Sequence, residues 1–422
     1  MRPLTKSVRV TAVAAALALG LAACGGTDTS DDNTTPPSPT AEAQEGNLPT
    51  AVSTGDPFAD ARTAASHMPM TAQALATGIS EATDMKGDVG SDAANLRAGL
   101  TEVLQEHVYL AGIAVATAYH AGPDSDEFKA AASTLDENSK AVAAAVGSVA
   151  GEDNEKTFLQ AWRSHVDDFV SYAVAAKGGD EAGKKEALNN LAAYEKTSAE
   201  FFEKITDGAL PADAVEGALG KHVKTLSGAI DAFASGDGKA FDKLKAAADH
   251  MPMTAKALAG GIDKAADIDG NPNSPASELR SGLTGLLQGH VYLASVAVFT
   301  AYTAGPDSAE FEAAAGELDE NSVELSKAVG SVAGPDNEKT FLQVWRSHID
   351  DFVSYAVASA GDDEAGKKEA LSNLDDYRST AGGFFEEITG GAVPADAVAT
   401  ELKKHIETLA GAIDSLKAAL VK

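Results

Sequence analysis

The side chains best suited to chemistry in this chain are its histidines and methionines. Eight of the nine histidines fall into four pairs, each separated by 183 residues: His67 with His250, His107 with His290, His165 with His348 and His222 with His405. The ninth, His120, has Thr303 as its counterpart and is expected on the surface. Neutral imidazole is a ligand for zinc, copper, iron and nickel. Two of the pairs' members open a His-Met-Pro-Met segment, at 67–70 and again at 250–253. Thioether sulfur shifts metal preference toward Cu(I), because soft ligands select soft ions. The candidate ligands in one copy are therefore His67, Met68, Met70, His107, His165 and His222. In the other they are His250, Met251, Met253, His290, His348 and His405. Met70, three residues beyond His67, is the better-placed thioether by spacing, ahead of Met68. Asp168 and Asp351, three residues after His165 and His348, are candidates to hold a ligand imidazole through its second N–H. An ordinary solvated carboxylate is the equal alternative for both.

Other chemistries lack their residues. Covalent c-type haem needs Cys-x-x-Cys-His, and only one cysteine is present. Non-covalent haem with His or Met ligation stays open as a weaker cofactor choice. Di-iron bundles need Glu-x-x-His, but position 104 is Leu, and Glu106 becomes Gly289 in the second copy. No phosphate loop, dinucleotide turn or serine elbow occurs. The competing reading of each histidine is a core residue bonded to a local acceptor.

The elements that must carry these rings are helices. His107 shares a three-and-four spacing with Leu100, Val103 and Ala114, His165 with Trp162 and Phe169, and His222 with Leu219 and Leu226. Such spacing marks one apolar helix face, and nothing sustains the alternation of strands. Pro69 breaks regular hydrogen bonding and predicts a kink or helix start beside His67. Turn sequences such as Ala121-Gly122-Pro123-Asp124 are short, and short turns make neighbouring helices antiparallel. The expected fold is all-α: two tandem up-and-down antiparallel bundles of about six helices each. They cover residues 47–233 and 234–422, since a period this long means duplicated domains. Bundled in this way, the three core histidines of a copy can meet at one level.

Ahead of the repeats stand Arg2, Lys6 and Arg9, an apolar run from Val10 to Leu21, and then Leu21-Ala22-Ala23-Cys24. A basic start, a short apolar core and small residues mark an export signal, here 1–23. The run is too short to span a bilayer. Leu-Ala-Ala-Cys resembles the lipobox of bacterial lipoproteins. That resemblance implies lipidation of Cys24 and a membrane anchor on the extracytoplasmic face. A plain secretory signal is the alternative. Residues 24–46 are rich in Gly, Ser, Thr, Asp and Pro and are expected to form a disordered linker. No other run appears long and pure enough to span a membrane. The net charge of −30 disfavours nucleic acid as a partner and favours cations.

Trp162-Arg163-Ser164-His165 and Trp345-Arg346-Ser347-His348, each closely followed by Asp-Asp-Phe-Val-Ser-Tyr-Ala, are similar to helical repeats of secreted bacterial proteins labelled copper-amine-oxidase-like. The resemblance implies an association with copper. It does not imply oxidase activity, because no Asn-Tyr pair is present to make the quinone. The expected function is extracytoplasmic metal binding, copper first, for binding, buffering or delivery. The alternative is a helical spacer that presents a surface to partners and binds no metal.

Overall fold

The computed structural model describes residues 48–421. The signal at 1–23, Cys24 and the linker at 24–46 lie outside the described residues. Within them are fourteen α-helices and no strand. In chain order they are α1 (Pro57–Ser66), α2 (Met68–Ala82), α3 (Asp92–Ala121), α4 (Asp126–Ala150), α5 (Glu152–Gly178), α6 (Glu181–Ile205) and α7 (Ala212–Ser235). The second set is α8 (Ala240–Ala248), α9 (Met251–Ala266), α10 (Pro275–Ala304), α11 (Ala309–Ala333), α12 (Pro335–Ala360), α13 (Glu364–Ile388) and α14 (Ala395–Leu420). Each copy thus has seven helices rather than about six. Pro69 and Pro252 divide what would be one long element into two, with His67 and His250 at the breaks.

Local chemistry sets the boundaries. Ser91 and Ser274 accept backbone N–H bonds at the starts of α3 and α10, and Ser125 and Ser308 do so for α4 and α11. Gly122, Gly151, Gly305 and Gly334 follow the helix ends with φ near +100° or +90°, which a Cβ disfavours. Helices α3 to α7 pack up-and-down on one another, as do α10 to α14.

The break at 233/234 divides the sequence repeats but not the packing. Helix α2 lies on α10, and α1 on α14, both in the second copy. Helix α9 lies on α3 and α8 on α7, in the first. One bundle is therefore α3–α9, continuous in sequence, and the other is α10–α14 closed by α1 and α2 from the far end of the chain. The crossing segments obey a pseudo-twofold relation. Ala93 N donates to Asp269 O at 3.0 Å, and Ala276 N to Lys86 O at 3.1 Å. Arg97 Nη1 donates to Pro272 O at 2.8 Å, and Arg280 Nη1 to Val89 O at 2.7 Å. Between the bundles α3 and α10 run parallel, pairing Arg97 with Glu278, Thr101 with Ser281 and Tyr109 with Tyr292. The two tyrosine rings stack with centroids 5.3 Å apart.

The closure of the chain depends on a close backbone approach. Val52 N donates to Glu407 O at 2.9 Å, and Ser415 and Ser53 both donate to the buried Asp60 carboxylate. Burial pushes the Asp60 carboxyl up, but hydrogen bonds from Ser415, Thr54 and Ser53 outweigh it and hold it below the usual range. A Cβ on Gly411 would overlap the Val52 carbonyl oxygen, whereas one on its counterpart Gly228 would meet nothing. Gly228→Ala is therefore expected to stabilise the protein by about 0.5–1 kcal/mol through helix propensity. Gly411→Ala is expected to destabilise it by about 1–3 kcal/mol through overpacking. Denaturant midpoints measure both; equal shifts would argue against the closure.

Helix α10 differs from the sequence expectation that no further run suits a membrane. It is long and apolar enough to cross one, but 78% of its most apolar window is buried, mainly against α2, α3, α11 and α14. It is the core helix of the second bundle.

Candidate metal centre

The apolar stripes that drive the bundles together also carry the histidines inward. Helices α3, α5 and α7 bring His107, His165 and His222 to one level. Helices α10, α12 and α14 bring His290, His348 and His405 to the equivalent place. All six are buried. In each cluster one ring nitrogen from every histidine lies within 4.8 Å of the others. His290 Nε2 and His348 Nε2 are 3.3 Å apart. Ring centroids are separated by 5.3, 5.9 and 6.4 Å in the first cluster and by 5.3, 6.1 and 6.4 Å in the second. Three nitrogens that each sit about 2.0 Å from one ion lie about 3.5 Å apart, so modest ring rotation suffices for coordination.

Aromatic neighbours hold the rings. Tyr194 on α6 stacks on His165 with centroids 4.5 Å apart, and Trp162 meets the same ring edge-on at 4.5 Å. Tyr377 and Trp345 do the same for His348. Phe169 packs on His222 and Phe352 on His405.

A buried imidazole normally satisfies its nitrogens with local acceptors. Here both nitrogens of His107 and of His405, and Nδ1 of His165, His222, His290 and His348, lack a well-formed hydrogen bond, although Asn138 approaches the His107 ring and the Trp162 and Trp345 backbone approaches those of His165 and His348. Burial is also the leading reason that all six pKa values fall. His107 and His290 are pulled down to about 3, and His222 and His405 to about 4. His165 and His348 are lowered well below the ordinary value, first by burial and then by the other two rings. At neutral pH the clusters are uncharged imidazoles with lone pairs available, the form that binds metal.

The other candidate residues divide differently from the sequence grouping. The His-Met-Pro-Met segment of each copy sits at the cluster of the opposite copy, because α2 and α9 cross over. Met251 lines a small cavity with His107, His165 and His222, and Met68 lines its equivalent with His348 and His405. Met70 and Met253 are 42% and 56% exposed and line neither cavity, so the better-placed thioethers are Met68 and Met251. His67 and His250 are outside the clusters. His250 Nε2 lies 3.4 Å from Ala218 O on α7, and His67 has Lys404 and Glu401 of α14 as charged neighbours.

Asp168 and Asp351 do not support the histidines. Asn190 donates to Asp168 at 3.1 Å and Asn373 to Asp351 at 3.1 Å, both near the surface. These carboxylates lie at the edge of the buried face, where the amides of α6 and α13 take them up. The polar side chain near His107 is Asn138, fully buried, with its amide nitrogen on Val103 O and on Glu106. Its side chain also acts on the His107 ring, opposing the fall of that ring's pKa. Asn138 interrupts the apolar face of Leu135 and Val142, and that interruption is the sequence signal that would have singled it out.

Comparison of the chain with protein-family models, with curated proteins and with solved structures returned no match.

Proposed function

We propose that each His cluster is a metal site, that copper is its ion, and that the protein binds, buffers or delivers copper on the outer face of a membrane through a lipid on Cys24. The observation that carries the reading is convergence. Three uncharged imidazoles from three separate helices meet with one nitrogen of each within 4.8 Å of the others. An ion would take one lone pair from each ring, the donor set that neutral imidazole offers to copper.

Charge favours copper over zinc. Neither cluster contains a carboxylate or thiolate. An ion bound there keeps its full charge in an apolar interior, and the burial penalty rises with the square of that charge. Cu(I) therefore pays far less than Zn(II). The thioethers of Met251 and Met68 in the adjoining cavities add a soft donor.

Titration of the metal-free protein with Cu(I) in competition with a chelator tests this directly. Two equivalents per chain are expected, with affinity well beyond micromolar. Binding weaker than micromolar, or with no fixed stoichiometry, would leave a helical interaction protein as the surviving reading. Binding to the native state alone also raises stability, by roughly 2.7 kcal/mol per site at a hundredfold excess over Kd. Met251→Leu is expected to weaken Cu(I) binding at the first site and to leave Zn(II) binding there unchanged. Parallel titrations with the two ions check this, and equal losses would remove the thioether from the site.

A further inference from the structure

We propose that each bundle also binds a neutral apolar small molecule in an outer cavity that abuts its His cluster. In the first bundle a cavity of about 440 Å³ opens between α3, α4, α5 and α7. Ala111, Val115, Leu135, Val166, Phe169 and Leu226 form its walls, and His107 closes its inner end. The equivalent space in the second bundle is about 220 Å³ and ends on His290. Ile349 stands there in place of Val166.

Both cavities reach the surface at a pair of valines one helical turn apart. Val170 and Val174 are 41% and 60% exposed, and Val353 and Val357 are 45% and 63% exposed. These four are half of the large apolar side chains exposed among the described residues, and all of them line the cavities. The first cavity lies within the roughly 300–1,000 Å³ typical of small-molecule sites and the second lies below it, though both are lined by apolar groups. The larger cavity is about three times the roughly 150 Å³ that holds one benzene.

The lining also decides the ligand's charge. Tyr119 hydroxyl already donates to Ala173 O at 2.7 Å, and Tyr302 hydroxyl to Ala356 O at 2.8 Å. Lys177 stands at the first mouth, but Ala360 replaces it at the second, so the shared site has no cation. With a net charge of −30, the protein repels anions at long range. A neutral hydrocarbon-like or aromatic molecule fits both cavities, a longer one in the first and a shorter one in the second. This assignment does not depend on the metal reading.

The test uses the full chain, metal-free and copper-loaded, titrated with the fluorescent probe N-phenyl-1-naphthylamine. Saturable enhancement is expected in both forms. Val170→Trp, at an exposed mouth, should weaken binding at the first site by at least about tenfold, and adding Val353→Trp should do the same at the second. Leu188→Trp, at an exposed position away from the cavities, should change nothing. Melting curves confirm that the variants fold. Dodecanol should displace the probe more effectively than dodecanoate. Non-saturable enhancement, or equal binding by the mouth variants, would overturn the site. Stronger displacement by dodecanoate would overturn the neutral ligand. Copper stoichiometry is unchanged in the mouth variants, which separates failure here from failure of the metal centre.

Discussion

Replacing His165 and His348 together with alanine is expected to remove both copper sites, and His165→Ala alone to leave one. Each substitution takes away one of the three convergent rings of its cluster. A site reduced from three imidazoles to two should lose more than the roughly 10–100-fold that follows loss of an outer-shell partner. Competition titration gives the stoichiometry directly. His67→Ala and His250→Ala serve as matched controls, since these rings lie outside the clusters. They should retain two equivalents. If the double variant still bound two, the clusters would not be the sites, and if the controls lost binding as severely, the opposite-copy segments would be ligands.

Acidification is expected to unfold the metal-free protein well before it unfolds the copper form. Six imidazoles are held neutral by burial, and four of them have pKa values of about 3 or 4. In the unfolded chain a histidine titrates near 6.5. The unfolded state therefore binds more protons than the native one below that pH. The stability associated with burial is fully present above about pH 6.5 and is lost as the pH falls toward 4. At pH 5 the loss is on the order of 2 kcal/mol per ring, and several rings together rival the roughly 5–15 kcal/mol that holds a typical domain folded. Six carboxyls among the described residues act in the opposite sense, because burial raises them: Glu102 to about 8, Glu317 to about 7, and Glu195, Asp249, Asp263 and Asp351 above the ordinary value, so they favour the native state as acid is added. Only Glu102 and Glu317 among them are shifted as far as the buried rings, so the histidines dominate. A bound ion competes with protons for the same nitrogens and delays the loss. Melting temperatures from pH 7.5 to 4.5, with and without copper, measure the effect. A flat metal-free profile would mean that the rings are charged or solvated in the native state.

The helical fold and the inward placement of His107, His165 and His222 could be read from the chain because a 3.6-residue period reports directly which side of a helix is buried. The same period says nothing about which copy a helix packs on. A tandem repeat of 183 residues reads identically from any starting point, so periodicity alone does not say which helices close which bundle. The true bundles are set by the crossings near residues 84–91 and 267–274, whose reciprocal hydrogen bonds join segments 183 residues apart. That crossing is why His67 and Met68 stand with the second cluster. It also decides between the methionines, because contact with α10 and α14, not distance from His67, determines which one is buried. The error over Asp168 has a simpler origin: a carboxylate three residues from a core histidine found Asn190 on the neighbouring helix before it could reach the ring. The outer cavities had no sequence signal, since they arise where Ala and Val leave space that larger apolar residues would fill.

The most direct measurement of the central claim is X-ray absorption at the copper edge of protein loaded with two equivalents of Cu(I). Convergent coordination should appear as about three nitrogen scatterers near 2.0 Å with the multiple-scattering pattern of imidazole, plus a sulfur contribution near 2.3 Å that Met68→Leu with Met251→Leu removes. A shell of oxygen scatterers, or one imidazole per ion, would place the copper on the acidic surface and leave the buried rings as packing.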